Sequence, residues 1–124
     1  MGQLVAIAFG GAIGALSRFG LQQWLAPIYN GRFPLAIFIA NSIGSLCLGL
    51  FYVLIVEKGL VSEAWRPFLI IGLLGAFTTF STFSLDSVSL IEQGEWAMAL
   101  GNIFANVVVG LIGAYIGMSI GRWL

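Results

Sequence analysis

The run Gly72-Leu73-Leu74-Gly75-Ala76-Phe77-Thr78-Thr79-Phe80-Ser81-Thr82-Phe83-Ser84 decides how this chain is read. It begins as an apolar span and then changes character. Between Thr78 and Ser89 lie seven hydroxyl residues and Asp86, a density that a lipid-facing helix does not carry. Gly75-Ala76 followed by two threonines is a poor continuous helix and a good N-cap for a new one. The reading is a helix broken inside a membrane, its first half ending near Gly75 and its second starting near Thr78 or Thr79. Irregular backbone at that depth is tolerated only where protein buries it or a cavity solvates it. A break frees carbonyl oxygens that suit a hard cation, and exposes the amides of the next half-helix, which suit an anion. In the second half, Phe80 and Phe83 share one face by their three-residue spacing, and Thr79, Thr82 and Asp86 share a neighbouring one.

Outward from this segment the chain is almost wholly apolar. Of its 124 residues 60% are hydrophobic and 8% charged, with a mean hydropathy of +1.04. A soluble domain carries roughly 25% charged residues, so a soluble globular protein is excluded. A net charge of zero with no basic block excludes a nucleic-acid binder. Without histidine and with one cysteine, Cys47, there is no His/Cys metal site, no Ser-His or Cys-His nucleophile and no intrachain disulfide. The chain is not expected to be an enzyme.

A bilayer core about 30 Å thick takes about 20 apolar residues per helix. Four stretches qualify, at about residues 4–25, 35–56, 67–91 and 96–120, joined by short connections. The expectation is one all-α integral membrane domain over residues 1–124. Trp24, Tyr29, Trp65, Trp96 and Trp123 lie near span ends, where aromatic rings settle at the lipid–water boundary. Gly10 and Gly14, Ser45 and Gly49, and Gly113, Gly117 and Gly121 have the small-xxx-small spacing that lets helices approach closely.

Basic residues normally set orientation. The N-terminal side receives Lys58, Arg66 and Arg122, and the opposite side receives Arg32, with Arg18 deeper in the first span. A bias of three to two would let the chain insert either way, which permits an antiparallel pair. Polar groups inside the spans are few. Asn41, with Ser45 one turn on, and Asn102 and Asn106 face either neighbouring helices or a wet path. Arg18 either snorkels to the boundary or gives a pore mouth a positive potential.

Together these residues resemble the small fluoride channels called Fluc or CrcB. The likeness rests on the run Gly75-Ala76-Phe77-Thr78-Thr79-Phe80-Ser81-Thr82-Phe83-Ser84, on Gly10-Gly11 with Gly14 and Arg18, on Asn41 with Gly44, and on Asn106. It covers essentially the whole chain. The resemblance implies an antiparallel, dual-topology homodimer in the inner (plasma) membrane of a microbe, passively exporting cytoplasmic fluoride through two pores. It implies a structural sodium ion at the dimer centre, held by the backbone carbonyls of Gly75 and Thr78 from each subunit. It implies a fluoride path lined by Phe80, Phe83, Asn41, Ser81, Thr82, Thr79 and Asn106, with Arg18 in the vestibule. Two positions depart from the family's pattern: Ala36-Ile37 where Gly-Thr is frequent, and Gly110 where a serine is frequent.

Fluoride is small and strongly hydrated, so a narrow path must replace its water with donors such as amides and hydroxyls. Aromatic rings add a positive edge. The competing reading is a small proton-coupled exporter of lipophilic cations. That chemistry needs a carboxylate in the first span, where this chain has Arg18. A non-transporting accessory subunit is a third reading, and it leaves the broken polar helix without a purpose.

Overall fold

The computed structural model describes residues 1–124, all in helices and their short connections. Helix α1 spans Gly2–Leu25. Helix α2 runs over Leu35–Glu57, its last turn, Val53–Glu57, loosened into a π-helix. After a short 3-10 turn at Glu63–Trp65, helix α3 covers residues 67–77: a π-helical stretch, Pro67–Leu74, passing into one α-turn, Gly75–Phe77. Thr78 and Thr79 are extended. Helix α4 follows at Phe80–Glu92 and α5 at Trp96–Trp123. Four helical segments are long and apolar enough to cross a membrane, with α3 and α4 forming one of them.

The interruption therefore falls two residues later than Gly75. Gly75 itself is helical, with φ −60° and ψ −37°, and a Cβ there would meet only the Ile70 carbonyl at 3.5 Å. Glycine is permissive but does not break a helix whose neighbours hold it. The break comes where Thr78 and Thr79 adopt extended backbone.

The helices associate as two backbone-to-backbone pairs. In the α1–α3 pair, Gly10 and Gly14 lie against the Phe68 and Leu73 carbonyls, and a Cβ on Gly72 would sit 2.8 Å from the Ile7 carbonyl oxygen. In the α2–α5 pair, Gly49 lies against the Ala114 carbonyl, and Gly117 against that of Leu46. Close approach of this kind associates helices in lipid, where burying apolar surface gives no drive. Helix α4 packs on α5, so the second half of the broken span stands apart from α1 and α3.

Gly117→Val should cost about 3 kcal/mol or more, the upper end of overpacking, because the obstacle is a carbonyl on α2. Gly2→Val, with nothing within 4 Å, should be neutral. Thermal unfolding in detergent measures both. A Gly117 variant as stable as the parent would show that α2 and α5 can separate without loss.

Both ends are tied by ion pairs within one side. Arg122 makes a two-point pair with Glu57, at 3.0 and 2.8 Å, joining α5 to α2. Arg32 pairs with Glu95 at 2.6 Å at the other end, and Arg66 with Glu63 at 3.1 Å. The α4–α5 turn closes as a Schellman motif: Glu95 N–H bonds to the Leu90 carbonyl, and Gly94 N–H to that of Ile91. Gly94 has φ +78°, which is the left-handed position that motif requires of a glycine.

Candidate functional site

The site is built on the gap between α3 and α4. In an unbroken helix the Thr79 amide would bond to the Gly75 carbonyl, and the Thr82 amide to that of Thr78. Neither does. The Thr79 amide donates to Asn41 Oδ1 at 2.8 Å. The Thr82 amide donates to the Thr79 hydroxyl at 3.3 Å, an N-cap for α4. The carbonyls of Gly75 and Thr78 thus lose their ordinary helical partners. At the start of α4, the amides of Phe80 and Ser81 fall within the first turn, where no intrahelical acceptor exists and the helix dipole is positive.

Asn41, on α2, holds the gap open from the side. Its Nδ2 donates to the Thr79 carbonyl at 3.1 Å and to Asn106 Oδ1 at 3.0 Å. The side chain therefore grips the Thr79 peptide from both its N–H and its C=O. Asn106 in turn donates to Asn102, at 2.9 Å to its carbonyl and 2.8 Å to Oδ1. Asn102 is fully buried and donates to the Ser87 hydroxyl at 3.0 Å, which itself donates to the Phe83 carbonyl at 2.9 Å. A continuous polar line thus runs from α2 through α5 to α4 with every side-chain amide satisfied. Such a network rigidifies what it touches, and here it fixes the two extended threonines.

A cavity of about 410 Å³ opens beside this line. Of the residues the sequence singles out, Asn41, Gly75, Thr78, Thr79, Phe80, Phe83 and Asn106 line it. Ser81, Thr82 and Arg18 do not. Thr82 is occupied by the Thr79 cap, with the two hydroxyls 3.2 Å apart. Ser81 is exposed beside it. Arg18 lies on α1, part-exposed and without an ion pair in the chain. The phenylalanine rings are 5.6 Å apart and tilted by 54°. Phe83 is buried at 9% exposure, whereas Phe80 is 79% exposed at the open side of the cavity.

Sequence reasoning noted Ser45 one turn after Asn41 and in a small-xxx-small pair but did not name it as a site residue, yet it lines the same cavity. The signal was its position one turn after Asn41, which puts both on one face of α2. Gly44, between them, leaves room for the Thr78 methyl, which a Cβ would overlap.

The family model described as "CrcB-like protein, Camphor Resistance (CrcB)" matches residues 5–118. The "Fluoride-specific ion channel FluC" of Chloroflexus aurantiacus is 45% identical over 123 residues, covering 99% of this chain and 98% of its own. The protein of the same name from Saccharophagus degradans is 45% identical over 107 residues, 86% of this chain and 80% of its own. "Fluoride-specific ion channel FluC 2" of Symbiobacterium thermophilum is 40% identical over 121 residues, 97% and 98% of the two chains. Full-length likeness at this level, a family match over nearly every residue and the broken third span together place the chain in the CrcB family of integral membrane proteins.

Proposed function

We propose that this chain is a fluoride-selective channel of the bacterial inner membrane, passing cytoplasmic fluoride outward without energy input. The observation that carries the reading is the broken span, braced by Asn41 and opening on a cavity beside paired phenylalanines. Helix-start amides offer fixed donors, and the rings offer positive edges, to a small anion that has shed its water. The relatives named as fluoride-specific channels agree with it. Nothing favours the exporter of lipophilic cations: α1 has no carboxylate to exchange protons. Efflux from liposomes loaded with fluoride, chloride or a lipophilic cation tests the reading. Fluoride should leave rapidly and the other two should be retained. Rapid chloride or cation loss, or no fluoride loss, would refute it.

The working unit in this proposal is an antiparallel homodimer. In one chain only 19 of 124 residues are buried, and Phe80 lies open. The near-balanced basic residues at the two ends permit either insertion.

A sodium ion at the dimer centre belongs to the same proposal, and the residues present fit it. The Gly75 and Thr78 carbonyls have lost their helical partners, and two copies would supply four neutral oxygens to a hard monovalent cation. The ion would join the subunits at their breaks. Because the Thr78 hydroxyl is committed to the Leu74 carbonyl at 2.9 Å, Thr78→Ser should be mild. Replacing sodium by a bulky organic cation should lower the dimer's melting temperature and its flux together. Indifference of both would remove the ion from the account.

Arg18 is assigned to the pore mouth. Arg18→Gln should reduce fluoride flux most at low ionic strength, since salt already screens the field at high strength. Equal losses at every ionic strength would indicate a packing role instead.

A further inference from the structure

The side-chain donors of the cavity wall are nearly all committed. Asn41 spends its amide on Thr79 and Asn106, and Asn106 spends its own on Asn102. The Thr78 hydroxyl donates to the Leu74 carbonyl, and that of Thr79 to Thr82. Ser45 is the exception: it lines the cavity, and its hydroxyl makes no hydrogen bond in the chain.

No other side-chain hydroxyl or amide lining the cavity is free in this way. A serine inside a helix in lipid ordinarily turns its hydroxyl back to the carbonyl four residues earlier. Ser42, Ser84, Ser87 and Ser119 do so, at 2.7, 2.9, 2.9 and 2.9 Å, whereas Ser17, Ser81 and Ser89 do not, and none of these three lines the cavity. Ser45 leaves the Asn41 carbonyl alone. Helix α5 passes close by: a Cβ on Gly110 would lie 3.6 Å from Ser45 Oγ, in ordinary van der Waals contact. The nearby wall, Leu48, Ile70 and Leu74, is apolar.

We infer that the Ser45 hydroxyl is a direct fluoride-binding donor, the one uncommitted side-chain donor in this cavity and a step on the ion path one turn of α2 beyond Asn41. The inference rests on the fluoride reading above. An O–H donor to an anion makes a short, charge-assisted bond. Between Asn41 and the groove that Tyr52 and Arg66 line toward the Lys58 end, an ion would otherwise meet the apolar Leu48, Ile70 and Leu74, and a bare fluoride among apolar walls is strongly disfavoured.

The test is fluoride efflux from liposomes at matched protein density, with sodium present. Ser45→Ala should slow efflux about tenfold or more, the value of one hydrogen bond to a charged group. Alanine is a better helix former than serine, so this variant should elute and melt like the parent. Ser45→Thr keeps the hydroxyl and should stay within about threefold of parental flux. The pair Ser45→Gly with Gly110→Ser moves a hydroxyl to the facing helix and should recover most of the flux. Parental efflux in Ser45→Ala overturns the inference. So does a loss that neither the threonine nor the relocated hydroxyl repairs, since that pattern marks packing. If the parent itself passes no fluoride, the channel reading fails first and this one with it.

Discussion

Asn41→Asp should abolish fluoride efflux, lowering it on the order of a hundredfold or more, and should also lower the melting temperature of the protein. The substitution is isosteric, so size plays no part. Asn41 Nδ2 donates to two acceptors, the Thr79 carbonyl at 3.1 Å and Asn106 Oδ1 at 3.0 Å. A carboxylate oxygen in its place has nothing to donate. It faces two other oxygens in a poorly solvated setting, where unmade hydrogen bonds and unpaired charge are costly. The Thr79 amide would keep its acceptor, but the grip on both sides of that peptide would be lost. A carboxylate beside the path would also repel an anion. The two effects separate by measurement: repulsion alone reduces flux and leaves melting unchanged, whereas a failed brace changes both. Near-parental flux would remove Asn41 from the conduction machinery.

Phe80→Ile and Phe83→Ile should each cut fluoride efflux severely, on the order of a hundredfold if ring edges take the place of water around the ion. The change in stability should be far smaller. Exchanging one bulky apolar side chain for another usually costs under about 1.5 kcal/mol, even at buried Phe83, and Phe80 is 79% exposed in the single chain. Methionine should be the gentlest replacement at both positions because its thioether is polarizable and adapts its shape. Phe9, exposed on α1, and Phe38, whose ring meets Phe33 edge-on at 5.8 Å, are the controls and should tolerate isoleucine. Parental flux in both Phe80→Ile and Phe83→Ile would show that the rings only fill space.

Much of this architecture was legible before any coordinate. Span length and apolarity follow from bilayer thickness, and the structure's helices begin and end within three residues of the expected limits. The glycine contacts follow from spacing alone, because residues four apart share a helix face. The position of the break was legible only roughly. Gly75 drew attention as a weak helix residue, yet the chain stays helical through Phe77. The cause lies 38 positions away, in the bond from the Thr79 amide to Asn41. Local preference does not contain that contact. The same holds for the Asn102–Ser87 link, which joins α5 to α4. The resemblance implies Ser81 and Thr82 as lining groups of the fluoride path. In the single chain Thr82 lies against the Thr79 cap, a contact made by the N-cap geometry that residue type does not reveal.

The glycine-to-carbonyl seams between α1 and α3, and between α2 and α5, bear on the entropy of assembly. In water, glycine weakens a helix because the unfolded chain gives it so much backbone freedom to lose. In a bilayer a separated span is already helical, since its amides and carbonyls have no other partners. That loss therefore precedes helix–helix docking and does not count against it. The glycines at these seams also have no side-chain rotamers to lose on docking. A substitution that commonly stabilises soluble proteins, glycine to alanine in a helix, should thus bring little benefit in this chain. At Gly10, Gly14, Gly49 or Gly117 it would set a methyl group against a carbonyl.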